Sequence, residues 1–320
     1  MLSTALESFK NSTIVRFMPS NPTFSGSIGR SGLRAASYLA PSLAGLWAER
    51  LFLTPPATRF EDMDLFAFMD ARSDFVPHRG QRLAAWRWGD SEAPAVLLVH
   101  GWGGRAAQMV PLVQPLLATG YRVIAFDQPA HGLSEGRLTG LPDFAEAIAA
   151  VARYYGGVTA VVGHSLGGTA LALALSQYRD LSSRVKRAVL INAPSDMSGF
   201  SRRFARLLKL PERVRRRMQQ AIEERYGVRW AELEPPHLVA RLGAPALVIH
   251  DRGDREVPVV QGEAMADAWR GARLLRTEGL GHVGILSDEH VGRAMADFLS
   301  GGSGFAQPAR LAVPVPAPLY

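Results

Sequence analysis

The chain has 320 residues, 47% of them hydrophobic, which is enough for the core of one large domain with an insertion or of two smaller domains. It has no cysteine, and this excludes disulfides, thiolate nucleophiles and cysteine-ligated metal sites. Residues 201–229 contain ten Lys and Arg side chains and three Glu, which accounts for the whole formal net charge of +7. Because the rest of the chain is close to neutral, we expect one basic surface and no nucleic-acid binding.

The two ends of the chain differ from its centre. Residues 1–55 are predicted to form a Ser-rich, loosely ordered leader followed by a short amphipathic helix, in which Leu43, Leu46 and Trp47 recur at helical spacing. We expect this helix to pack on the domain below, with peripheral contact to an anionic membrane as the alternative. Residues 301–320 are predicted to be a flexible tail. No run approaches the roughly 18 apolar residues of a membrane span, so a soluble, cytoplasmic protein is expected.

Short apolar runs alternate with helical patterns through the centre of the chain. Strands are predicted at residues 81–88, 95–99, 121–126, 158–162, 187–191, 246–249 and 273–276. Helices are predicted at residues 105–117, 141–155, 169–177 and 288–299. Buried strands joined by crossover helices predict an α/β domain with a doubly wound, mostly parallel sheet over residues 75–300.

One connection in this pattern is too long. About fifty residues separate two strands where a crossover needs about a dozen. Helical patterns on either side of Pro211 place large apolar side chains on one face and basic side chains elsewhere. The apolar set is Phe200, Phe204, Leu207, Leu208, Val214, Met218, Ala221 and Ile222. We therefore expect a helical insertion at about residues 195–243, whose basic side chains either only face solvent or attract anionic substrates or lipid.

Two turns follow early strands and contain special residues. His-Gly-Trp-Gly-Gly at residues 100–104 can leave backbone N–H groups aimed at a ligand. No Gly-Lys-Ser/Thr follows it, which disfavours phosphate binding, and we expect neither a cofactor nor a metal ion. The turn after the next strand contains Asp127 and His131. We expect these side chains to hold their loop rather than to catalyse, since turn aspartates usually do so.

The strongest chemical signal is Gly-His-Ser-Leu-Gly at residues 163–167, between an apolar strand and an Ala/Leu-rich helix. A serine at the apex of such a turn is held clear of the sheet at a helix N-terminus, which suits a nucleophile. A serine hydroxyl also needs a base to take its proton and an acid to orient that base. Ser165, Asp254 and His282 are of those types, and each lies just after a predicted strand.

Four motifs together resemble the α/β-hydrolase superfamily, in its esterase/lipase-like or serine aminopeptidase-like branch. They are His-Gly-x-Gly at residues 100–103, Gly-x-Ser-x-Gly at 163–167, Asp-x-x-Val-Pro beginning at Asp254, and Gly-His ending at His282. The serine, acid, histidine order is also that of the family. The resemblance covers residues 81–299. It implies a Ser165, Asp254 and His282 triad, an oxyanion hole from the backbone N–H groups of Trp102 and Leu166, and a lid formed by the insertion.

The acid and the histidine each have rivals in the sequence. The turn at residues 250–254 reads His-Asp-Arg-Gly-Asp, whereas many relatives have His-Gly at its start, so Asp251 is a second candidate for the acid. Only Asp254, however, has the expected spacing from the Val-Pro pair that follows. Asp196, after the preceding strand, is a weaker rival. His164 is expected to point away from the nucleophile, and His290 falls inside the last predicted helix.

The resemblance implies hydrolysis of a small acyl substrate through an acyl-enzyme. An ester is favoured, and a thioester or amide is compatible. Carbon–carbon hydrolases and perhydrolases use the same triad and remain alternatives, as does a catalytically inactive scaffold used for binding. Epoxide and haloalkane chemistry is disfavoured because it would need Asp at position 165.

Overall fold

The computed structural model describes residues 37–56 and 67–301. Its strands are β1 (Arg72–His78), β2 (Gln81–Trp88), β3 (Ala95–Val99), β4 (Arg122–Phe126), β5 (Ala160–His164), β6 (Arg187–Ile191), β7 (Ala246–Asp251) and β8 (Arg273–Thr277). They form one sheet in the order β1-β2-β4-β3-β5-β6-β7-β8. β1 and β2 are antiparallel to their neighbours, and all pairs from β4 to β8 are parallel. The predicted doubly wound, mostly parallel α/β sheet is confirmed.

Helices cover both faces of this sheet. They are α1 (Pro41–Phe52), α2 (Val113–Leu117), α3 (Leu141–Tyr154), α4 (Leu166–Gln177), α5 (Arg179–Ser182), α6 (Met197–Leu207), α7 (Glu212–Tyr226), α8 (Pro235–Val239), α9 (Val259–Ala268), α10 (Gly281–Gly284) and α11 (Glu289–Ser300). Residues 106–112, 230–233 and 285–287 form 3₁₀ turns. The predicted helix at residues 105–117 is thus a 3₁₀ turn followed by the short α2.

The central strands are continuous apolar runs because both of their faces are covered. Every residue of β3 and of β5 is buried. Successive side chains enter opposite cores, so that Leu97 packs with α3 and α4 whereas Leu98 packs with α2 and α11. The parallel pairing then places the carboxyl ends of β5, β6, β7 and β8 at one edge of the sheet.

The edge strand β1 was missed by the sequence analysis. Only Val76 among its seven residues is buried, so its sequence lacks the apolar run used to identify the other strands. A tight turn with positive φ at Arg79 (48°) and Gly80 (74°) joins it to β2. The sheet therefore begins before the predicted boundary at residue 75.

The predicted insertion contains α6, α7 and α8, between β6 and β7. Val214, Met218 and Ile222 of α7 are buried, as their spacing predicts. Arg215 departs from the pattern because it is also buried, and its guanidinium bonds to Glu212 and to the hydroxyl of Ser201. Not all of the basic side chains therefore lie on an outer surface. The role of the insertion as a lid stays a prediction.

Helix α1 packs on the domain, as expected, but not through the large apolar side chains that suggested this packing. Its small residues Ala44 and Ala48 are buried, and a Cβ at Gly45 would lie 2.5 Å from the Arg217 side chain of α7. Leu43 and Leu46, which were expected to pack on the domain below, are 66% and 43% exposed. The reason is steric, since α1 lies so close to α7 that only small side chains fit between them.

Within residues 37–56 and 67–301, no helix combines the length and the apolar character needed to cross a membrane. The predicted leader before residue 37 and the predicted tail after residue 301 lie outside the described residues.

The junction between β5 and α4 is very closely packed. A Cβ at Gly167 would lie 2.4 Å from the His100 carbonyl oxygen, and one at Gly163 would lie 2.6 Å from Gly168 Cα. Both obstacles are backbone atoms, which cannot move aside as a flexible side chain would. The glycines of the Gly-x-Ser-x-Gly motif are therefore required by contact with β3 and with the start of α4.

Gly167→Ala should lower the free energy of unfolding by about 2 kcal/mol or more, because overpacking against backbone forces a shift of β3 or α4. Gly243→Ala is the matched control, since a Cβ there meets nothing within 4 Å. It should change stability by no more than about 0.5 kcal/mol. Urea unfolding of both variants measures the difference, and equal stabilities would show that the junction has room.

Candidate active site

Ser165 lies at the sharp turn between β5 and α4. Its φ of 53° and ψ of −131° are unusual for a residue with a side chain. The turn is held by hydrogen bonds from Ser165 N to Ile191 O (2.9 Å) and from Gly168 N to Ser165 O (2.9 Å). Such backbone strain is typical of functional sites, where the surrounding structure enforces it. The hydroxyl is thereby presented at the carboxyl edge of the sheet.

Ser165, His282 and Asp254 form one hydrogen-bonded chain. His282 Nε2 lies 2.9 Å from Ser165 Oγ, and His282 Nδ1 lies 2.7 Å from Asp254 Oδ2. A carboxylate only accepts hydrogen bonds, so Nδ1 carries the proton and Nε2 is free to accept one from the serine hydroxyl. The structure thus brings together the three side chains predicted from sequence, although 117 residues separate the serine from the histidine.

Asp254 is buried, and both of its carboxylate oxygens accept hydrogen bonds. Its Oδ1 accepts the N–H groups of Glu256 (2.8 Å) and Val257 (2.9 Å), while Oδ2 accepts from His282. Burial by itself raises the pKa of this carboxyl, but the hydrogen bond and charge of His282 and the two N–H groups outweigh it. The net effect lowers the pKa of Asp254 below its usual value, so the group is a carboxylate at neutral pH.

Asp251 has a different task. Its carboxylate accepts from Thr277 Oγ1 (2.8 Å) and from the N–H groups of Leu280 (3.1 Å) and Gly281 (3.0 Å). These contacts anchor the loop that carries His282. Asp196, the weaker rival, accepts from Gly199 N and caps α6. Of the three aspartates, only Asp254 is hydrogen-bonded to the imidazole.

The backbone of His282 is also held, by two side chains at the ends of neighbouring strands. Its carbonyl oxygen accepts from Asn192 Nδ2 (3.1 Å) and from His164 Nε2 (2.8 Å). His164 was expected to point away from the nucleophile. It instead lines the same cavity as Ser165 and contacts the loop that carries His282. Asn192 was missed altogether. Its position directly after β6, at the carboxyl edge, was the available signal.

The turn at residues 101–104 runs directly over the serine. A Cβ at Gly101 would lie 2.7 Å from Ser165 Cβ. Trp102 follows it, and Trp102 and Leu166 both line the cavity that contains Ser165. Leu166 is the first residue of α4, where a backbone N–H has no partner inside the helix. Among the described residues, no hydrogen bond is made by either amide, so both N–H groups are available as donors.

Asp127 and His131 hold this turn and the residues after it through hydrogen bonds to their backbone. Asp127 accepts the N–H groups of Ala106 and Leu133, each at 2.7 Å. His131 Nε2 accepts the N–H of Gly103 at 2.9 Å. The prediction that these two side chains hold their loop is confirmed, and they also fix the turn that contains Trp102.

Three buried histidines near the site are held in the neutral form. Burial lowers the pKa of His131 to about 4 and that of His164 to about 3, and it lowers the pKa of His100 well below its usual value. His100 Nε2 accepts the N–H of Gln128 at 2.9 Å, a contact that protonation would abolish. Packing around the active site therefore depends on these rings staying uncharged.

The cavity beside Ser165 has a volume of about 570 Å³ when the part open to solvent is included. Phe200 and Arg203 of α6 form part of its wall. Glu256, two residues after Asp254, also lines the cavity, and its Oε2 lies 3.9 Å from His282 Nε2. Burial and, less strongly, the charge of Asp254 raise the pKa of Glu256, while His282 and Arg203 oppose them. Sequence analysis singled out neither Arg203 nor Glu256. Across the described residues, no three His, Asp or Glu side chains are grouped so that they could hold a metal ion.

The buried histidines predict a pH-dependent stability. Histidine in an unfolded chain titrates near 6.5, above the pKa of each buried ring, so the unfolded state takes up protons first as the pH falls. The free energy of unfolding should therefore fall from about pH 6.5 towards pH 4, by about 1.4 kcal/mol per pH unit for each histidine. Urea unfolding across this range measures the slope.

His131→Gln should make that slope shallower by about 1.4 kcal/mol per pH unit, because the glutamine oxygen can accept the Gly103 N–H but does not titrate. His290→Gln, at an exposed position of α11, should leave it unchanged. Equal slopes in both variants would contradict the assignment of His131 as a buried neutral ring.

Comparison with known proteins agrees with this geometry. Residues 94–225 match a family model described as alpha/beta hydrolase fold, and residues 227–307 match one described as TAP-like protein. A protein of Variovorax paradoxus (strain S110) that is named as a carbamate hydrolase is 32% identical over 257 residues, which cover 66% of this chain and 94% of that protein.

Two further proteins are similar to this chain. A bifunctional esterase/perhydrolase of Acinetobacter calcoaceticus is 36% identical over 109 residues, 33% of this chain, so that the match spans only 39% of that enzyme's length. The structure of an esterase from Pyrococcus furiosus superimposes with a TM-score of 0.60 at 21% identity, over 79% of this chain and 100% of that one, and shows the shared fold. From the strand order, the family models and the near full-length match to the V. paradoxus protein, the chain belongs to the α/β-hydrolase family of enzymes.

Proposed function

We propose that this chain is a serine hydrolase that cleaves carboxylic esters through an acyl-enzyme on Ser165. The observation that carries the proposal is the position of His282, which is within hydrogen-bond distance of both the serine hydroxyl and Asp254. A base between a nucleophile and an orienting acid is the arrangement that activates a hydroxyl.

In the proposed reaction, Ser165 Oγ attacks the ester carbonyl carbon while His282 Nε2 takes the hydroxyl proton. His282 then gives this proton to the leaving alcohol as the carbon–oxygen bond breaks, which leaves an acyl group on the serine. Water, deprotonated by the same nitrogen, attacks the acyl carbon, and His282 returns this proton to Ser165 Oγ as the acyl–oxygen bond breaks and the acid is released. Throughout, Asp254 keeps Nδ1 protonated and stabilises the imidazolium that forms.

The negative charge that develops on the carbonyl oxygen needs donors that are already in place. We propose that the N–H groups of Trp102 and Leu166 supply them, since both lie beside Ser165 and neither is used elsewhere in the described chain. His131 supports this role indirectly by fixing Gly103, next to Trp102.

The substrate class follows from the walls of the cavity and from the relatives. Trp102, Leu166, Phe200 and Val257 present mainly apolar surface near the serine, which suits the acyl or alkoxy part of an ester. Similar proteins are named for esterase or carbamate hydrolase activity, reactions that all attack a carbonyl. The same acyl-enzyme could react with peroxide instead of water, as the name of the A. calcoaceticus relative indicates, and adding peroxide to the assay separates the two reactions.

Ser165→Ala, His282→Ala and Asp254→Asn should each lower kcat by about 10³-fold or more for whichever ester is turned over, because the three groups act as one unit. A panel of p-nitrophenyl esters of graded chain length measures the rates. Ser176→Ala, at the far end of α4, is the control and should retain full activity. Near-normal turnover by Asp254→Asn would transfer the acid role to Asp251.

A serine-directed fluorophosphonate provides an independent check. It should label the wild-type chain once, at Ser165, and should still label Ser176→Ala but not Ser165→Ala. Labelling at another residue would remove the nucleophile assignment. A wild-type chain that is neither labelled nor active on any ester would point to the inactive scaffold.

A further inference from the structure

A second cavity, of about 440 Å³ when the part open to solvent is included, adjoins the first. Trp102, Leu166 and Phe200 line both, so the two spaces share one wall beside Ser165. The far side is formed by α1, α7 and the 3₁₀ turn at residues 230–233. Phe52 of α1 packs edge-on against Phe200, with ring centroids 5.5 Å apart, and lies 6.1 Å from the ring of Trp230. The N-terminal helix therefore forms part of the wall of a space that leads to the active site.

Two residues that line this cavity each contain a buried polar atom without a hydrogen-bond partner in residues 37–56 and 67–301. Thr139 is fully buried and Trp230 nearly so, and the two atoms are Thr139 Oγ1 and Trp230 Nε1. Buried donors are normally satisfied, because an unpaired one loses the hydrogen bond it would make with water. The rest of the lining is almost entirely apolar, for example Ile222 and Leu233. The cavity thus suits an apolar chain that carries one hydrogen-bonding oxygen.

We propose that the second cavity binds the acyl chain of the substrate, and that this acyl chain bears an oxygen that accepts a hydrogen bond from Trp230 Nε1. An indole N–H can only donate, so the ligand atom must be an acceptor, such as a keto or ether oxygen, and the Thr139 hydroxyl is a second unpaired donor in a residue of the lining. This inference rests on the proposed function. With the reacting carbonyl at Ser165 and its oxygen directed at the N–H groups of Trp102 and Leu166, the acyl chain enters between Trp102 and Phe200.

The test compares two p-nitrophenyl esters of equal acyl length, one plain and one with a keto group near the end of the chain. The wild type should have the higher kcat/KM for the keto ester. Trp230→Phe keeps an aromatic ring but deletes the N–H, and should lower kcat/KM for the keto ester by about tenfold while that for the plain ester changes by less than about twofold. Thr139→Val is isosteric and should reduce the preference in the same direction.

Trp86→Phe, on the opposite face of the sheet, is the matched control and should leave the preference intact. Equal kcat/KM values for the two esters in the wild type would overturn the proposal, as would equal losses on both esters in a folded Trp230→Phe. These results differ from a failure of the proposed function, in which neither ester would be cleaved.

A separate observation concerns the outer surface of α1. Leu43, Leu46 and Trp47 of α1 recur at the spacing of one helical face, and Tyr38 and Leu39 lie just before the helix. These five residues are here called the outer stripe. Tyr38, Leu39 and Leu43 are 65%, 86% and 66% exposed. Single exposed apolar residues are common, but several large ones on and just before one helix indicate an interaction surface.

Positive charge lies directly beside the outer stripe. The Arg213 guanidinium of α7 lies 5.6 Å from the centre of the Tyr38 ring, and it donates to the Ser37 carbonyl at 2.9 Å. The Arg216 side chain, three residues further along α7, is 72% exposed and lies 3.7 Å from the Glu212 carboxylate. Both belong to the segment of residues 201–229 that accounts for the net charge of the chain. An apolar stripe flanked by arginines is the pattern of helices that lie on anionic membranes.

We infer that the outer stripe docks on an anionic lipid surface. Charge disfavours two other occupants of the outer stripe, a second copy of the chain and residues 1–36. A second copy would bring two sets of arginines together, which is repulsive. Residues 1–36 contain four basic side chains and one acidic side chain, so they carry the same sign as α7. An anionic bilayer satisfies both the apolar and the charged parts of the surface.

Co-sedimentation of the full chain with vesicles tests this inference. Binding to vesicles of phosphatidylcholine with phosphatidylglycerol should be at least about tenfold tighter than to phosphatidylcholine alone, and should weaken as salt shortens the Debye length. Leu39→Ser with Leu43→Ser should weaken binding by at least about tenfold, since these side chains would enter the interface. Met69→Ser with Val260→Ser changes residues of similar exposure, 73% and 61%, and should have no effect.

Two results would overturn the inference. One is equal binding, or none, to the two kinds of vesicle. The other is a chain that is dimeric by light scattering and becomes monomeric in Leu39→Ser with Leu43→Ser without any change in vesicle binding, which would assign the stripe to a second copy.

Discussion

The parallel pairing of β3 to β8 is the constraint on which the site depends. Because the strands run in the same direction, the turn after each one emerges at the same edge of the sheet. Ser165 after β5, Asp254 after β7 and His282 after β8 are distant in the chain and meet only for this reason. The close packing of Gly163 and Gly167 then fixes the serine at a backbone conformation that a looser turn would not keep.

Around these three side chains, buried polar groups hold the loops rather than the reacting atoms. Asp251 anchors the loop of His282 through backbone N–H groups, and Asn192 holds the same loop through a carbonyl. Neutral His131 does the same for the turn at residues 101–104. Burial makes each bond strong and also keeps the rings uncharged, so the geometry of the site and its sensitivity to acid have the same cause.

The segments outside the central sheet follow different rules. In α7, Val214 and Met218 are buried at the spacing that an amphipathic helix predicts. In α1, the face with small residues packs and the face with large residues is exposed, because Gly45 and Ala48 allow close approach to α7. The phenylalanine at the end of α1 nevertheless reaches Phe200, so this helix connects an outer surface with a wall of the cavity.

The sequence by itself determined the strands that are buried on both faces, the mostly parallel character of the sheet and the identity of Ser165, Asp254 and His282 as candidates. Continuous apolar runs and glycines beside a serine have few other physical explanations. It did not determine β1, where one buried residue leaves no pattern, nor the roles of Asp251 and Asn192, which depend on contacts with residues about thirty and ninety positions away. The outward face of α1 and the burial of Arg215 were decided by tertiary structure alone, because the hydrophobic periodicity of a helix does not give its distance from a neighbouring helix.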